Sequence, residues 1–225
     1  MLRQARHERT LKQNLALASS SAFVSGVINV AGLVSFFAFT SSISGHMANM
    51  AKNLVTQNMY EILLFLGWLL LFFCGSFLAS FTVRSFSGKH QYRAHAFPVV
   101  LEILILLFVA IYGHHFYEET KIEREVVISC TIFAMGLQTG LVAIVSGGLI
   151  KSTSLAGLFT DLGSEVAEYY HIGTVKDPEI RNRIYVRLTV LGFYALGGLA
   201  GGFFFNQYEF AVFYFVPIIL ILILL

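Results

Sequence analysis

The sequence predicts an all-α, polytopic membrane protein: six transmembrane helices in two inverted three-helix repeats, with broken or short helices after spans 1 and 4. Three observations predict it. The 225 residues are 56% hydrophobic and 12% charged, with a mean hydropathy of +0.73, whereas a soluble domain carries about 25% charged residues. Six segments reach the ~20 apolar residues that a span needs, near 21–41, 60–83, 96–113, 126–149, 185–205 and 208–225. With the N-terminus inside, twelve Lys and Arg fall on the inner segments and three on the outer ones, as the positive-inside rule requires. The chain reads as a single membrane domain, 1–225. No stretch is polar and long enough to build a separate water-soluble core, and a net charge of +2 gives no hint of nucleic acid.

Taken in order, residues 1–19 form a basic, semi-apolar cytoplasmic N-terminus, with an amphipathic helix predicted over 3–18 that merges into span 1. A signal peptide is the competing reading, but the apolar segment is too long and lacks a small-residue cleavage site. Span 1 carries Asn29. The motif "SSISGHMANMAKNL" (41–54) follows it, with Gly45, His46 and Asn49. Span 2 contains a small-residue patch around Gly75 and Ala79. Span 3 begins "FPVVLEILILLF" and holds Glu102, the one polar group in it. Such a carboxylate faces the protein interior or a wet cavity; it is a proton acceptor, a group held neutral, or one reaching toward Arg93 or Arg84. "YGHHFYEE" (112–119) gathers His and Glu without zincin spacing, and no metal site is predicted there.

Span 4 carries Gln138 and leads into "TSLAGLFTDLGSEV" (153–166), with Gly157 and Asp161. Asp161 is either a functional ionisable group at depth or an interfacial carboxylate near Lys151. A polar cytoplasmic stretch follows, through about 184. Span 5 holds "GGLAGG" (197–202), whose Gly197, Gly198, Gly201 and Gly202 make overlapping Gly-x-x-x-Gly pairs for close helix packing. Span 6 runs to the C-terminus, with Pro217 expected to kink it or open a fresh turn. Cys74 and Cys130, isolated in or near spans, read as packing residues.

The two motifs align without gaps at one offset: Ser42 with Ser154, Gly45 with Gly157, Asn49 with Asp161. Around them "FVSGVIN" (23–29) matches "FAMGLQT" (133–139), and "CGSFLASF" (74–81) matches "LGGLAGGF" (196–203). Repeat 1 thus covers about 20–113 and repeat 2 about 126–225. Three spans is an odd number, so the second half starts on the opposite side and the halves are inverted. Many secondary transporters are built this way, with sites at the repeat interface. Each motif is either a half-helix returning toward the core or a helix lying in the interface.

"GLQTGLVAIVSGGLIKSTSLAGLFTDLG" (136–163) resembles the signature of the YoaK-like bacterial membrane proteins, a family of uncharacterised function. "FVSGVINVAGLVSFFAFTSSISGHMANMA" resembles that family's first span and the motif after it. The resemblance covers nearly the whole chain and is specific at Gly136, Gln138, Gly157, Thr160, Asp161, Leu162 and Gly163. It implies the same fold and a bacterial inner membrane. This chain departs from the pattern at Asn29, where an aspartate is frequent, at Thr139, where asparagine is usual, and at Ser44 and His46.

The functional expectation is a small secondary transporter or permease for a small polar or ionic solute. Asn29, Gly45, His46, Asn49, Glu102, Gln138, Gly157 and Asp161 form its pathway, and Asp161 and Glu102 are the proton or cation carriers. Asn29 and Gln138 also read as helix-to-helix hydrogen bonds. The alternative is a non-transporting scaffold or partner-binding subunit that uses the 164–184 stretch. No nucleophile–base set, phosphate loop or cofactor motif is present, so neither an enzyme nor a cofactor is predicted. The expected partners are the lipid bilayer, an unidentified solute and, because six spans make a small enclosure, a second copy in a homodimer.

Overall fold

The computed structural model describes residues 9–118, 120–171 and 177–224, and over 87–91 the backbone alone. Every element is helical: α1 (Leu11–Phe36), α2 (Ile43–Val55), α3 (Met59–His115), α4 (Lys121–Ser146), α5 (Leu155–Tyr170), α6 (Pro178–Tyr208), a single 3-10 turn (Glu209–Ala211) and α7 (Val212–Leu224). No strand occurs among the described residues. Among the described residues, five stretches are long and apolar enough to cross a membrane: Leu11–Phe36, Met59–Phe86, Tyr92–His115, Lys121–Ser146 and Pro178–Leu224.

Local chemistry sets the helix ends. Reciprocal capping boxes, Thr10 with Gln13 and Thr120 with Glu123, open α1 and α4, each satisfying amide groups that a helix start leaves free. Both helices close on a left-handed residue, Phe37 (φ 53°) and Gly147 (φ 64°). Glycine takes that conformation without steric cost, whereas a phenylalanine is held there against its preference.

The structure differs from the sequence expectation in three places. The sequence places an amphipathic N-terminal helix over 3–18. Residues 1–8 lie outside the described residues, and from Leu11 onward the chain is already α1, with Leu17 and Ala18 buried in the core. Spans 2 and 3 belong to one helical run of 57 residues. Straight, it would extend about 85 Å. Yet Lys121 Nζ lies 4.0 Å from the Tyr60 ring centroid, while Tyr112 donates a 2.8 Å hydrogen bond to Glu123. Both ends of α3 therefore meet the first turn of α4, and the run folds back on itself within its polar middle. Finally, the segment expected as span 6 is α7, whose 13 residues cover only about 20 Å, and it forms one apolar stretch with α6, so five stretches are found where six were expected. Pro217 sits inside α7, as Pro98 sits inside α3.

Two helix pairs form the body, α1 with α6 and α3 with α4, and glycines set their spacing. A Cβ at Gly26 would stand 2.3 Å from the Tyr194 carbonyl oxygen, and one at Gly136 would stand 2.4 Å from that of Phe72. Likewise a Cβ at Gly197 would meet the Phe23 carbonyl (2.2 Å), and one at Gly75 that of Phe133 (2.4 Å). The second set of contacts is the first renumbered: 23 and 26 become 133 and 136, while 72 and 75 become 194 and 197. The small-residue patches thus find partners within this chain. Gly198 and Gly202 meet Val30, Gly201 meets the Val27 backbone, and Ala79 is fully buried. Carbonyl-to-glycine approach of this kind is how apolar helices pack where lipid is as apolar as their side chains.

Candidate functional site

After each of α1 and α4 the chain turns back along the helix it has just left. Asn29 lies two turns before the end of α1, yet its side chain reaches the returning segment. Its Oδ1 accepts from Thr40 Oγ1 (3.0 Å) and from the Ser41 amide (3.1 Å), and its Nδ2 donates to Ser41 Oγ and to Tyr194 Oη (2.7 Å). Thr139 occupies the matching place in α4, and its hydroxyl lies 3.2 Å from that of Thr153 on the second returning segment. Non-helical backbone inside an apolar body must be satisfied internally, and Asn29 does this for the Ser41 amide while also holding the Thr40 hydroxyl.

From these two turns α2 and α5 set out, and both of their N-termini border one cavity of about 560 Å³. Its walls are Ser41–Ser44 and Thr153–Ala156, with Asn29, Thr139, Phe72, Tyr194 and Phe39. The helix-start serines Ser42 and Ser154 make no side-chain cap bond, which leaves the first amides of both helices without a side-chain acceptor at the edge of this space. Helix N-termini carry partial positive charge.

A second cavity of about 280 Å³ lies beside α2, near the start of α4. It holds Gly45, His46 and Asn49, and shares Phe39 and Ser42 with the first. His46, Phe65 and Trp68 pack there ring to ring, with centroids 5.1–5.9 Å apart. In the other half α5 is held to α6 by charge instead. Arg187, only 7% exposed, makes a bidentate pair with Glu165 (2.5 and 2.8 Å) and reaches Asp161 at 3.0 Å. Asp161 also pairs with Lys151. The hydrogen bond from Lys151, with the nearby Arg187, holds the Asp161 carboxyl below its ordinary value.

Of the eight residues predicted to form the pathway, only Asn29 lines the larger cavity. Gly45, His46 and Asn49 line the smaller. Gly157 lies behind Ser154, where a Cβ would stand 3.2 Å from Ser154 Oγ and 3.7 Å from Lys151 Nζ. Asp161 sits in the ion cluster, on the wall of neither cavity. Gln138 is buried and its Oε1 accepts from Ser25 Oγ (2.8 Å), tying α4 to α1, while its Nε2 is unpartnered. Glu102 is buried in the face of α3 formed by Val99, Leu106 and Val109, with Oε1 unpartnered. His114 contacts Tyr214 and His115, while Glu119 lies outside the described residues. So do residues 172–176 of the polar stretch. Sequence reading missed Ser41, Thr153 and Tyr194. The offset that aligns Ser42 with Ser154 also pairs Ser41 with Thr153, so that signal was present.

This architecture defines a helical membrane protein with a cavity of mixed polar and apolar lining bordered by two helix starts. The chain belongs to the family described as proteins of unknown function, DUF1275, which matches it over residues 17–225. The resemblance to YoaK-like proteins is consistent with that membership. No curated protein and no solved structure matches the chain.

Proposed function

We propose that this protein is a small secondary transporter or permease that moves a small polar or ionic solute across the bacterial inner membrane. The observation that carries the reading is the cavity of about 560 Å³ walled by matching segments, 41–44 and 153–156, from the two halves of the chain. The renumbered glycine contacts support an inverted repeat of three helices in each half, with α7 as a short sixth crossing. Sites in such transporters lie where the repeats meet, at the ends of discontinuous helices. The lysine and arginine distribution supports both termini inside. In this reading Asn29, Tyr194 and the first-turn amides of α2 and α5, which lack a side-chain cap, contact the solute. Glu102, buried with an unpartnered oxygen, is the candidate proton carrier, and Asp161 anchors α5.

Cysteines introduced at Ser44 and Ala156 test the reading in native membranes. A wet pathway lets a small membrane-impermeant thiol reagent reach both. A dry scaffold, whose short helices serve only as partner contacts, leaves both unmodified. Uptake of small solutes into proteoliposomes then follows, and Asn29→Leu, which fills the polar wall with an apolar side chain, is expected to abolish it.

A further inference from the structure

The smaller cavity has an unusual chemical inventory. Trp68, 4% exposed, belongs to the cavity wall and its indole N–H is buried without a partner, as is the Nε–H of Arg124, whose Nη2 donates to the Phe36 carbonyl (2.8 Å). Both groups can only donate. Two acceptors are orphaned in the same wall. One is Glu125 Oε2. The other is His46 Nε2, on a ring that is 4% exposed and already hydrogen-bonds the Phe39 backbone, which leaves Nε2 a lone pair. Buried polar groups are normally paired, and each exception calls for a cause.

The charges agree with the hydrogen-bond inventory. Lys121 and Arg124 face this cavity together with Glu61 and Glu125. Among the described residues none of the four makes an ion pair. Two cations and two carboxylates around one small space leave it formally neutral. A lone anion would meet both carboxylates there, and a lone cation both basic groups; either is disfavoured where the local dielectric is low. A solute carrying one group of each sign satisfies donors and acceptors together. The corresponding place between α5 and α6 is filled by the Asp161–Arg187–Glu165 ion pairs, so this feature belongs to one half of the chain alone.

We propose that this cavity is a binding site for a small zwitterion of the α-amino-acid type. Its carboxylate accepts from Trp68 Nε1–H and Arg124 Nε–H, and its ammonium donates to Glu125 and His46 Nε2. At about 280 Å³ the space is at the small end of ligand pockets and suits a solute with a short side chain. The site shares Phe39 and Ser42 with the larger cavity.

Trp68 is the only tryptophan in the chain, so intrinsic fluorescence of the purified full-length protein in detergent reads this site directly. The probes are L-alanine, sodium acetate and methylammonium chloride. L-Alanine should change the emission saturably. Acetate and methylammonium, each carrying half of the recognition, should need concentrations at least about tenfold higher for half the effect. Glu125→Gln, which keeps the shape, should weaken L-alanine by about tenfold and strengthen acetate, because one of the two carboxylates that repel it is gone. Acetate or methylammonium titrating like L-alanine would overturn the proposal in favour of a simple ion site. The absence of a saturable response up to about 100 mM would overturn it in favour of a water-filled crevice. Binding is read in micelles, where no flux exists, so its outcome is independent of whether the larger cavity conducts a solute.

Discussion

Gly136→Ala and Gly26→Ala should destabilise this protein by similar amounts, because each puts one methyl group into the same contact. At Gly136 the new Cβ would lie 2.4 Å from the Phe72 carbonyl oxygen; at Gly26 it would lie 2.3 Å from that of Tyr194. An ordinary carbon–oxygen contact is about 3.3 Å or more. The helices must therefore separate locally by about 1 Å, and the obstacle is backbone, which cannot rotate away. Overpacking of this kind costs about 1–3 kcal/mol. A gap of that size also forfeits a quarter to a half of the dispersion energy of neighbouring contacts. Alanine returns up to about 1 kcal/mol of helix propensity, leaving a net loss of roughly 1–2 kcal/mol. For a chain of this size that is a fall in Tm of about 2–8 °C, measurable by thermal unfolding of the detergent-purified protein. Gly163 and Gly192 supply the control. Both lie inside helices with nothing within 4 Å of a Cβ, so alanine there should leave Tm unchanged or raise it by up to about 4 °C. A neutral Gly26→Ala beside a destabilising Gly136→Ala would refute the equivalence of the two contacts, and with it the main support for an inverted repeat.

Asn29→Ala should lower stability by at least about 2 kcal/mol, since it strips acceptors from buried Thr40 and Ser41; Asn29→Asp, which keeps those acceptors, should cost less in the same melt. Asp161 tests the ion cluster through pH. Its folded-state carboxyl titrates below the ordinary 3.8, so its stabilisation is fully present above that value and disappears as pH falls through the folded one. The Tm difference between wild type and Asp161→Asn should accordingly be constant near neutrality and shrink below about pH 4; a difference that grows on acidification would contradict the pairing. Arg187→Leu leaves Glu165 and Asp161 facing each other without their shared cation and should cost about 3–5 kcal/mol, seen as loss of monodisperse protein on size exclusion. Glu102→Gln should fold normally and, if proteoliposome flux is proton-coupled, make that flux independent of pH.

Much of this protein is decided within a few residues along the chain, and that part could be read directly. The low charge and the ~20-residue apolar runs dictate membrane helices. The capping boxes of Thr10 with Gln13 and Thr120 with Glu123 are equally local, yet the reading by spans passed over them and placed the two helix starts at 3 and 126 instead of Leu11 and Lys121. The glycine patches announce close packing, and the matched motifs at 41–54 and 153–166 mark the short helices α2 and α5 that follow spans 1 and 4. The reversal between spans 2 and 3 was legible as two successive crossings, but the helical continuity of α3 through 84–95 was not, because that stretch reads as a polar loop although it contains no proline to end the helix. The sites escaped for a different reason. Asn29 meets Tyr194 across 165 residues, Ser25 meets Gln138 across 113, and Arg187 meets Glu165 across 22. A cavity wall depends on which faces of distant helices come together, and a polar side chain in a span reads the same whether it will line a cavity, tie two helices or join an ion pair. Asp161 followed the last course because Lys151 and Arg187 fold beside it, while the Trp68 indole N–H and the Arg124 Nε–H, silent in the sequence, were left buried without an acceptor among the described residues.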